Sequence, residues 1–135
     1  MAACVERIRS AGHGVLATLN AARGVDAVPV VFAWDSGRIL VPVDTVKPKR
    51  STNLRRVRNV QDDPRCVLLV DHYSDDWDEL WWVRVDGWAS VIEDERGLQE
   101  PLDVLASRYE QYRVRRPAGP VILIQADHWK GWSSS

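Results

Sequence analysis

The sequence predicts a small, mainly β protein of the α+β class, in which about six strands form a barrel and two or three helices are added. Its length of 135 residues, or 15.3 kDa, is typical of a single-core domain. Hydrophobic residues make up 45% and charged residues 27% of the chain, which is the balance of a globular protein. Short alternating or valine-rich runs recur between turn residues. We therefore expect one domain over residues 1–135.

Several classes of protein are excluded by composition. No apolar run approaches the roughly 18 residues that a membrane helix needs, so we expect no membrane partner. Glu6, Arg7 and Arg9 occupy the stretch in which a signal peptide would be apolar. Cys4 and Cys66 lack CxxC spacing, which favours reduced thiols in a cytoplasmic protein. The net charge of -1 argues against a broadly basic nucleic-acid binder.

The N-terminal third is predicted to form one helix followed by an antiparallel meander. The helix, Ala3–Ala11, ends before Gly12, because glycine commonly terminates helices. Alternation of apolar and polar residues, or a run of valines, marks each strand, and Asp35–Gly37 closes the second hairpin. The three predicted strands are His13–Asn20, Val25–Trp34 and Arg38–Val43.

The remainder of the chain is predicted to hold two helices and three strands. Pro48 precedes the first helix, Ser51–Gln61, where an opening helical turn tolerates proline. Apolar and aromatic residues at intervals of three or four, from Leu98 to Tyr112, mark the second helix. The predicted strands are Cys66–Tyr73, Leu80–Ile92 and Val121–Ala126.

Helical spacing predicts different faces for Ser51–Gln61. One face, with Leu54, Val57 and Gln61, is expected to pack on the core. The opposite face is expected to point away from the core, which would leave the Arg56 guanidinium exposed. The residues of that opposite face are Thr52, Arg55, Arg56 and Asn59.

A basic segment, residues 47–58, carries the most informative charge pattern. It holds six positive charges, and no acid lies between Asp44 and Asp62. Such residues at a loop-to-helix junction suit phosphate or carboxylate groups, because they add charged donors to the free amides of the first turn. The alternatives are a solvated helix face and a nucleic-acid site, but no second basic stripe is evident apart from Arg113, Arg115 and Arg116, so we expect a small polyanion and no nucleic-acid partner. The six residues are Lys47, Lys49, Arg50, Arg55, Arg56 and Arg58.

Seven tryptophans against a single phenylalanine are unusual. Trp82 and Trp88 stand on the half-polar face of the long predicted strand Leu80–Ile92. Tryptophans mostly pack in cores and dimer interfaces, but planar aromatics beside an anion site also suit a flat heteroaromatic cofactor. Because a monomer would rarely expose so much aromatic surface, we expect a homodimer.

No catalytic or metal-ligating side chain is identified by spacing. Cys66 and His72 are six residues apart on one strand, roughly 20 Å, which is too far for a catalytic pair. The three histidines lack metal-ligand spacing, and nucleophile-elbow and P-loop motifs are absent. Solvent, Tyr73 or His72 are the only hypotheses for a proton donor.

Taken in order, the segments resemble the split β-barrel oxidoreductases related to pyridoxamine-phosphate oxidase, and most of all their actinobacterial branch of coenzyme F420-dependent enzymes. The resemblance covers nearly the whole chain and rests on the order and spacing of its blocks. It implies a six-stranded antiparallel split β-barrel that forms a homodimer with cofactor sites at the subunit interface. The blocks are GVLATLN, VDAVPVVFAW, LVPVDTVKPKR, LRRVRNVQDDPRCVLLVDHY, DWDELWWVRVDGWASV and VILIQADHWKGW.

The same resemblance implies where a cofactor lies. The deazaflavin ring is expected against strand backbone, and the basic segment is expected to hold the phosphate and the anionic tail. Arg56 occupies the position, eight residues before Pro64, at which relatives carry a lysine or arginine. Whether Lys47, Lys49 or Arg56 holds the phosphate stays open. The expected cofactor-binding residues are Pro29, Val30, Val43, Asp44, Lys47, Lys49, Arg55, Arg56, Asn59 and Trp82.

The function implied is hydride transfer between coenzyme F420 and a small organic substrate, in which the cofactor carries the chemistry. Two alternatives remain open. One is an oxidase or reductase that uses FMN, since the scaffold does not decide the cofactor. The other is a non-catalytic protein that binds flavin, deazaflavin or haem.

Overall fold

The computed structural model describes residues 2–43, 51–117 and 119–135, with side chains for all of these except 51–54. Within these ranges the chain forms seven strands, four α-helices and one 3-10 turn, Trp77–Glu79. The strands are β1 (His13–Asn20), β2 (Gly24–Val31), β3 (Ala33–Asp35), β4 (Arg38–Pro42), β5 (Arg65–His72), β6 (Trp81–Ile92) and β7 (Val121–Ser133). The helices are α1 (Ala2–Ala11), α2 (Ser51–Asp62), α3 (Glu95–Arg108) and α4 (Glu110–Val114).

All seven strands belong to one antiparallel sheet in the order β2-β1-β5-β6-β7-β4-β3. β2 and β3 stand at opposite ends of this order, yet Phe32 alone joins them. The sheet must therefore curl so that its two end strands approach each other without pairing, which makes it a half-barrel. The Phe32 amide donates to the Gly12 carbonyl at 3.0 Å, and the Tyr109 hydroxyl bonds the carbonyls of both residues, which fixes this corner.

The expected mainly β, antiparallel architecture is confirmed, but the expected number of six strands is wrong. The predicted strand Val25–Trp34 is two strands, because alternation of burial fails where Phe32 and Ala33 are both buried. The predicted helix ending near Tyr112 is likewise two helices, separated by the extended residue Tyr109. Four helices replace the expected two or three.

The last strand is longer than the predicted Val121–Ala126 and continues to Ser133. It remains paired with β6 because a bulge absorbs one residue: Gly87 faces Ala126 and Asp86 faces His128. Gly87 is needed at this bulge, since a Cβ there would lie 2.6 Å from Ile124 Cγ2 and 2.7 Å from the Gln125 carbonyl oxygen. The two long strands β6 and β7 thus form the spine of the barrel.

The two hydrophobic clusters follow from the predicted apolar patterns. The larger fills the barrel and includes Leu16, Leu68 and Val83, and the smaller lies between α3 and the β3–β4 hairpin with β7. The predicted stripe on α3 is confirmed, since Leu98 and Leu105 are both buried in the smaller cluster. No helix in the described part of the chain is long and apolar enough to span a bilayer.

Candidate functional site

A small cleft of about 110 Å³ lies between α2 and the edge strand β2. Of the six lining residues that the structure describes, three are arginines and one is an aspartate, which gives these six a net charge of two positive. We call it the arginine cleft. Its lining residues are Arg23, Asp26, Ala27, Val28, Arg55 and Arg56. It therefore joins the predicted basic helix to the predicted second strand.

Helix α2 contributes two of the three arginines because of the way it packs on β1 and β6. Val57 and Val60 are buried in the barrel cluster, which turns Arg55 outward. Arg56 is half-buried at the border of the packed face, and burial lowers the pKa of its guanidinium. Arginine remains charged in proteins, so Arg56 holds a positive charge in a partly dry place, where it attracts anions more strongly than in water.

Three predictions about the faces of α2 are wrong. Asn59 was expected on the outer face but is buried, whereas Gln61 was expected on the core and is exposed. The Arg56 guanidinium was expected to be exposed and is half-buried, because it lines the cleft against β2. The reason for the first error is that an asparagine can be buried when its amide finds partners, and Asn59 finds them on β1 and β2.

A polar network lies behind the cleft. The Asn59 side-chain nitrogen donates to Thr18 Oγ1 at 3.0 Å and to Asp26 Oδ2 at 2.9 Å. Asn20 Nδ2 donates to the same Asp26 oxygen at 2.8 Å. Arg23 Nη2 donates to the other oxygen, Oδ1, at 2.6 Å. Asp26 is therefore the centre on which α2, β1 and the β1–β2 turn converge.

This network keeps Asp26 ionised. Hydrogen bonds from Asn20, then Asn59, and the neighbouring Arg23 lower the pKa of its carboxyl from 3.8 to about 2. At neutral pH the carboxylate thus cancels one of the three positive charges of the cleft. Sequence reasoning missed Asp26, Arg23 and Asn20. One signal could have found Asn20: it continues the buried face of β1 that runs through Leu16.

The predicted ring-binding residues of β2 lie beside the cleft on an edge strand. Among the described strands β2 pairs with β1 alone, so one row of its backbone groups is open to a ligand. Pro29 is exposed there, whereas the side chains of Val30 and Val43 are buried in the barrel cluster. Only the backbone of Val30 and Val43 could touch a ligand. Asp44, Lys47 and Lys49 lie outside the described residues.

The remaining predicted residues are not brought to the arginine cleft within one chain. Trp82 is half-buried on β6, where it pairs with Trp132 of β7, and it is not among the cleft's lining residues. His72 and Tyr73 lie at the other end of β5. Thr18, which holds Asn59, pairs with Cys66 of β5, and His72 is six residues further on, roughly 20 Å along a strand.

Two other kinds of site, a cysteine nucleophile and a metal centre, find no support in the described residues. Burial, and then the charge of Asp86, raises the pKa of the Cys66 thiol to about 12, so it is not a nucleophile at neutral pH. Nowhere in the described ranges do three histidine, cysteine, aspartate or glutamate side chains come together as a metal site would require.

A second concave surface, about 340 Å³ in volume, lies on the outer face of β1, β5 and β6. It is mostly apolar, with the half-exposed indole of Trp88 as one wall and Val67 and Leu19 among its lining residues. We call it the outer groove. Exposed Val15 and Leu69 pair with each other further along the same face.

Comparison with known proteins decides the family. The model of the pyridoxamine 5'-phosphate oxidase family matches residues 1–133. The chain belongs to this family. Its half-barrel is the family's split barrel, a fold that binds flavins. No curated protein sequence matches the chain.

Solved structures share this fold at low sequence identity. A conserved hypothetical protein from Mycobacterium tuberculosis superposes with a TM-score of 0.77 and 19% identity, covering 98% of this chain and 84% of that one. An FAD-binding protein from Mesorhizobium loti superposes with a TM-score of 0.74 and 15% identity, covering 96% of this chain and 91% of that one. The haem storage protein of Vibrio cholerae superposes with a TM-score of 0.70 and 13% identity, again covering 96% of this chain and 91% of the other. Proteins with different bound groups therefore share this scaffold.

Proposed function

We propose that this family member is an oxidoreductase that binds coenzyme F420 and transfers a hydride between the deazaflavin and a small organic substrate. One observation carries the proposal: Arg55 and Arg56 of α2 meet Arg23 in a cleft against the open edge of β2. Guanidinium groups are the side chains best suited to phosphate, because their planar forks give paired, charge-assisted hydrogen bonds. The residues present thus fit a phosphate-bearing cofactor.

Each part of the chain has a defined task in this proposal. The arginine cleft holds the phosphate, and the backbone of β2 beside the exposed Pro29 supports one face of the ring. The deazaflavin, when bound, supplies or accepts the hydride. The protein fixes its position and complements its charge. No described side chain near the cleft serves as a proton donor, so we assign the proton to solvent.

The positive charge of the whole basic segment, residues 47–58, favours coenzyme F420 over a simpler flavin. Among the described residues, two of the six positive charges in residues 47–58 line the cleft. A phosphodiester followed by a glutamate tail has further anionic groups for the others to bind. This predicts an affinity that falls steeply with added salt, since contacts between exposed charges are screened.

FMN is the second candidate, and the charge of the cleft itself favours it. Two net positive charges match a phosphate monoester, which carries about -1.5 to -2 at pH 7. The FAD-binding structural neighbour shows that flavins occupy this fold. The haem storage neighbour keeps a non-catalytic binding protein as the remaining alternative.

Parallel titrations of the purified protein with coenzyme F420, FMN and haem, at low and high salt, test the proposal. We expect coenzyme F420 to bind most tightly and to lose affinity with salt. Tighter binding of FMN with little salt dependence would assign the protein to FMN. Tight binding of haem alone, without reduction of any added acceptor, would replace the oxidoreductase by a binding protein.

We also propose that the protein acts as a homodimer whose contact is the outer face of the sheet. Large apolar side chains are exposed there on adjacent strands, among them Val15, Leu69 and Trp88. Removing such a face from water is the usual reason for two barrels to associate. Light scattering should give about twice the chain mass of 15.3 kDa, and the mass of one chain at micromolar concentration would refute the dimer.

A further inference from the structure

The buried polar side chains of the described residues share one feature. Three such side chains have exposures of 1% (Thr18), 4% (Asn20) and 3% (Asn59). Asn20 and Asn59 both donate to Asp26 Oδ2, and Thr18 accepts from Asn59. Burying polar groups costs free energy unless their hydrogen bonds are satisfied, so a cluster of three beside one carboxylate is a specific arrangement. Its effect is to fix the orientation of Asp26.

The fixed carboxylate leaves its second oxygen for Arg23. Arg23 stands in the β1–β2 turn, which is itself held by Asn20: the Asn20 side-chain oxygen accepts the Ala22 amide at 2.9 Å, and its backbone oxygen accepts the Arg23 amide at 3.2 Å. One guanidinium nitrogen binds Asp26 Oδ1, while the side chain stays 64% exposed. Four of its five N–H donors are thus left for a ligand, and Arg23 lines the cleft.

We propose that Arg23 is a third anion-binding residue of the arginine cleft and that Asp26 is the positioning residue that holds it there. The proposal rests on the proposed function in one respect, that the cleft binds the phosphate of the cofactor. It adds that the phosphate lies between two elements, the β1–β2 turn with Arg23 and α2 with Arg55 and Arg56. The ligand class is a compact, phosphate-bearing cofactor.

Two possible roles of Asp26, as a negative charge or as the residue that positions Arg23, predict opposite effects of Asp26→Asn on anion binding. If Asp26 acts only through its charge, Asp26→Asn adds one positive charge to the cleft and tightens the binding of an anion. If it positions Arg23, the same change weakens binding, because the neutral amide no longer holds the guanidinium. Asn59 and Asn20 would still bond the side-chain oxygen, which turns the new amide nitrogen toward Arg23.

The experiment compares FMN with riboflavin, which lacks the phosphate, and coenzyme F420 with its phosphate-free deazaflavin chromophore. The ratio of affinities within a pair isolates the phosphate contact. We expect Arg23→Ala to lower the affinity for the phosphate-bearing member about tenfold and to leave the phosphate-free member within about twofold. Arg9→Ala is the matched control, since Arg9 also pairs with an acid three residues away, Glu6 at 3.4 Å, but on α1.

Asp26→Asn is measured in the same way at a temperature where circular dichroism shows it folded, and it should weaken the phosphate-bearing member about three- to tenfold. The inference is overturned if Asp26→Asn tightens binding, or if Arg23→Ala matches Arg9→Ala. Should Asp26→Asn not fold, Arg23→Ala decides alone. A wild-type protein without preference for the phosphate-bearing member would instead refute the phosphate role of the cleft, and with it the proposed function.

Discussion

The arginine cleft and the outer groove are the two concave surfaces that matter here, and they differ in size and chemistry. The outer groove is the larger, about 340 Å³ against about 110 Å³, and its lining is mostly apolar. The cleft is lined by four charged side chains and backed by a hydrogen-bonded network. Apolar exposure is what a protein partner covers, whereas fixed charges select a small anion.

The largest effect should come from placing a charge on the outer face. Val15→Glu puts a carboxylate into the proposed dimer contact between the apolar cross-strand neighbours Pro29 and Leu69, and burying it without a partner there should weaken dimerisation at least about a hundredfold. The monomer should still fold, because Val15 is 38% exposed in the single chain. Analytical ultracentrifugation measures the effect. Val114→Glu is the control, since Val114 is 83% exposed on α4, away from the sheet; equal dissociation in both variants would rule out a specific interface.

The next largest effect should appear at the cleft itself. Arg56→Ala removes a charge-assisted contact and should lower cofactor affinity about ten- to a hundredfold. Because Arg56 is half-buried, its loss should also lower the free energy of unfolding by about 1 kcal/mol. Arg58→Ala removes the same charge from an exposed site of α2 outside the cleft, and both variants are titrated with FMN, which has no glutamate tail for Arg58 to bind. If both variants lose affinity equally in calorimetric titrations, α2 acts as a general positive surface and the distinction between cleft and helix face fails.

A smaller effect is expected behind the cleft. Asn59→Ala removes the donor to the buried Thr18 Oγ1 and one of the two amide donors to Asp26 Oδ2, which should lower the free energy of unfolding by about 1–3 kcal/mol. Gln61→Ala, on the exposed side of the same helix, should change it by less than about 0.5 kcal/mol. Urea unfolding at neutral pH measures both. Equal values would mean that the network contributes nothing to the packing of α2.

The smallest effect should appear in how the free energy of unfolding depends on pH in the acid range. The pKa of Asp26 is about 2 in the folded protein and 3.8 ordinarily, so its contribution to stability is complete above about pH 4 and is lost as pH falls toward 2. Asp26→Asn should therefore flatten the stability curve between pH 4 and pH 2. Asp63, whose pKa is also about 2 because Arg65 bonds it, makes a parallel contribution. Asp63→Asn measures the contribution of Asp63. If Asp26→Asn left the pH dependence of stability between pH 4 and pH 2 unchanged, the lowered pKa assigned to Asp26 would be contradicted.

Local patterns were sufficient for most elements. The strand His13–Asn20 is found with its predicted bounds, and the predicted hairpin at Asp35–Gly37 is confirmed, with Ser36 and Gly37 at φ of 51° and 90° as a tight two-residue turn requires. The stripe on α3 is confirmed as well. These features depend on neighbours a few residues away, which a sequence displays directly. The same is true of the basic helix, whose charges mark it without any structure.

The division of the strand at Phe32 and the burial of Asn59 were decided by tertiary structure alone. Phe32 leaves the ladder because its amide and carbonyl bond Gly12 and Tyr109, which are distant in the chain. Asn59 turns inward because its amide donates a hydrogen bond to Thr18, which lies 41 residues away in the chain. Helical periodicity assigns a polar side chain to solvent unless a partner is known. Arg23 and Asp26 enter the candidate site for the same reason: their role follows from hydrogen bonds across three elements, and no local spacing encodes those.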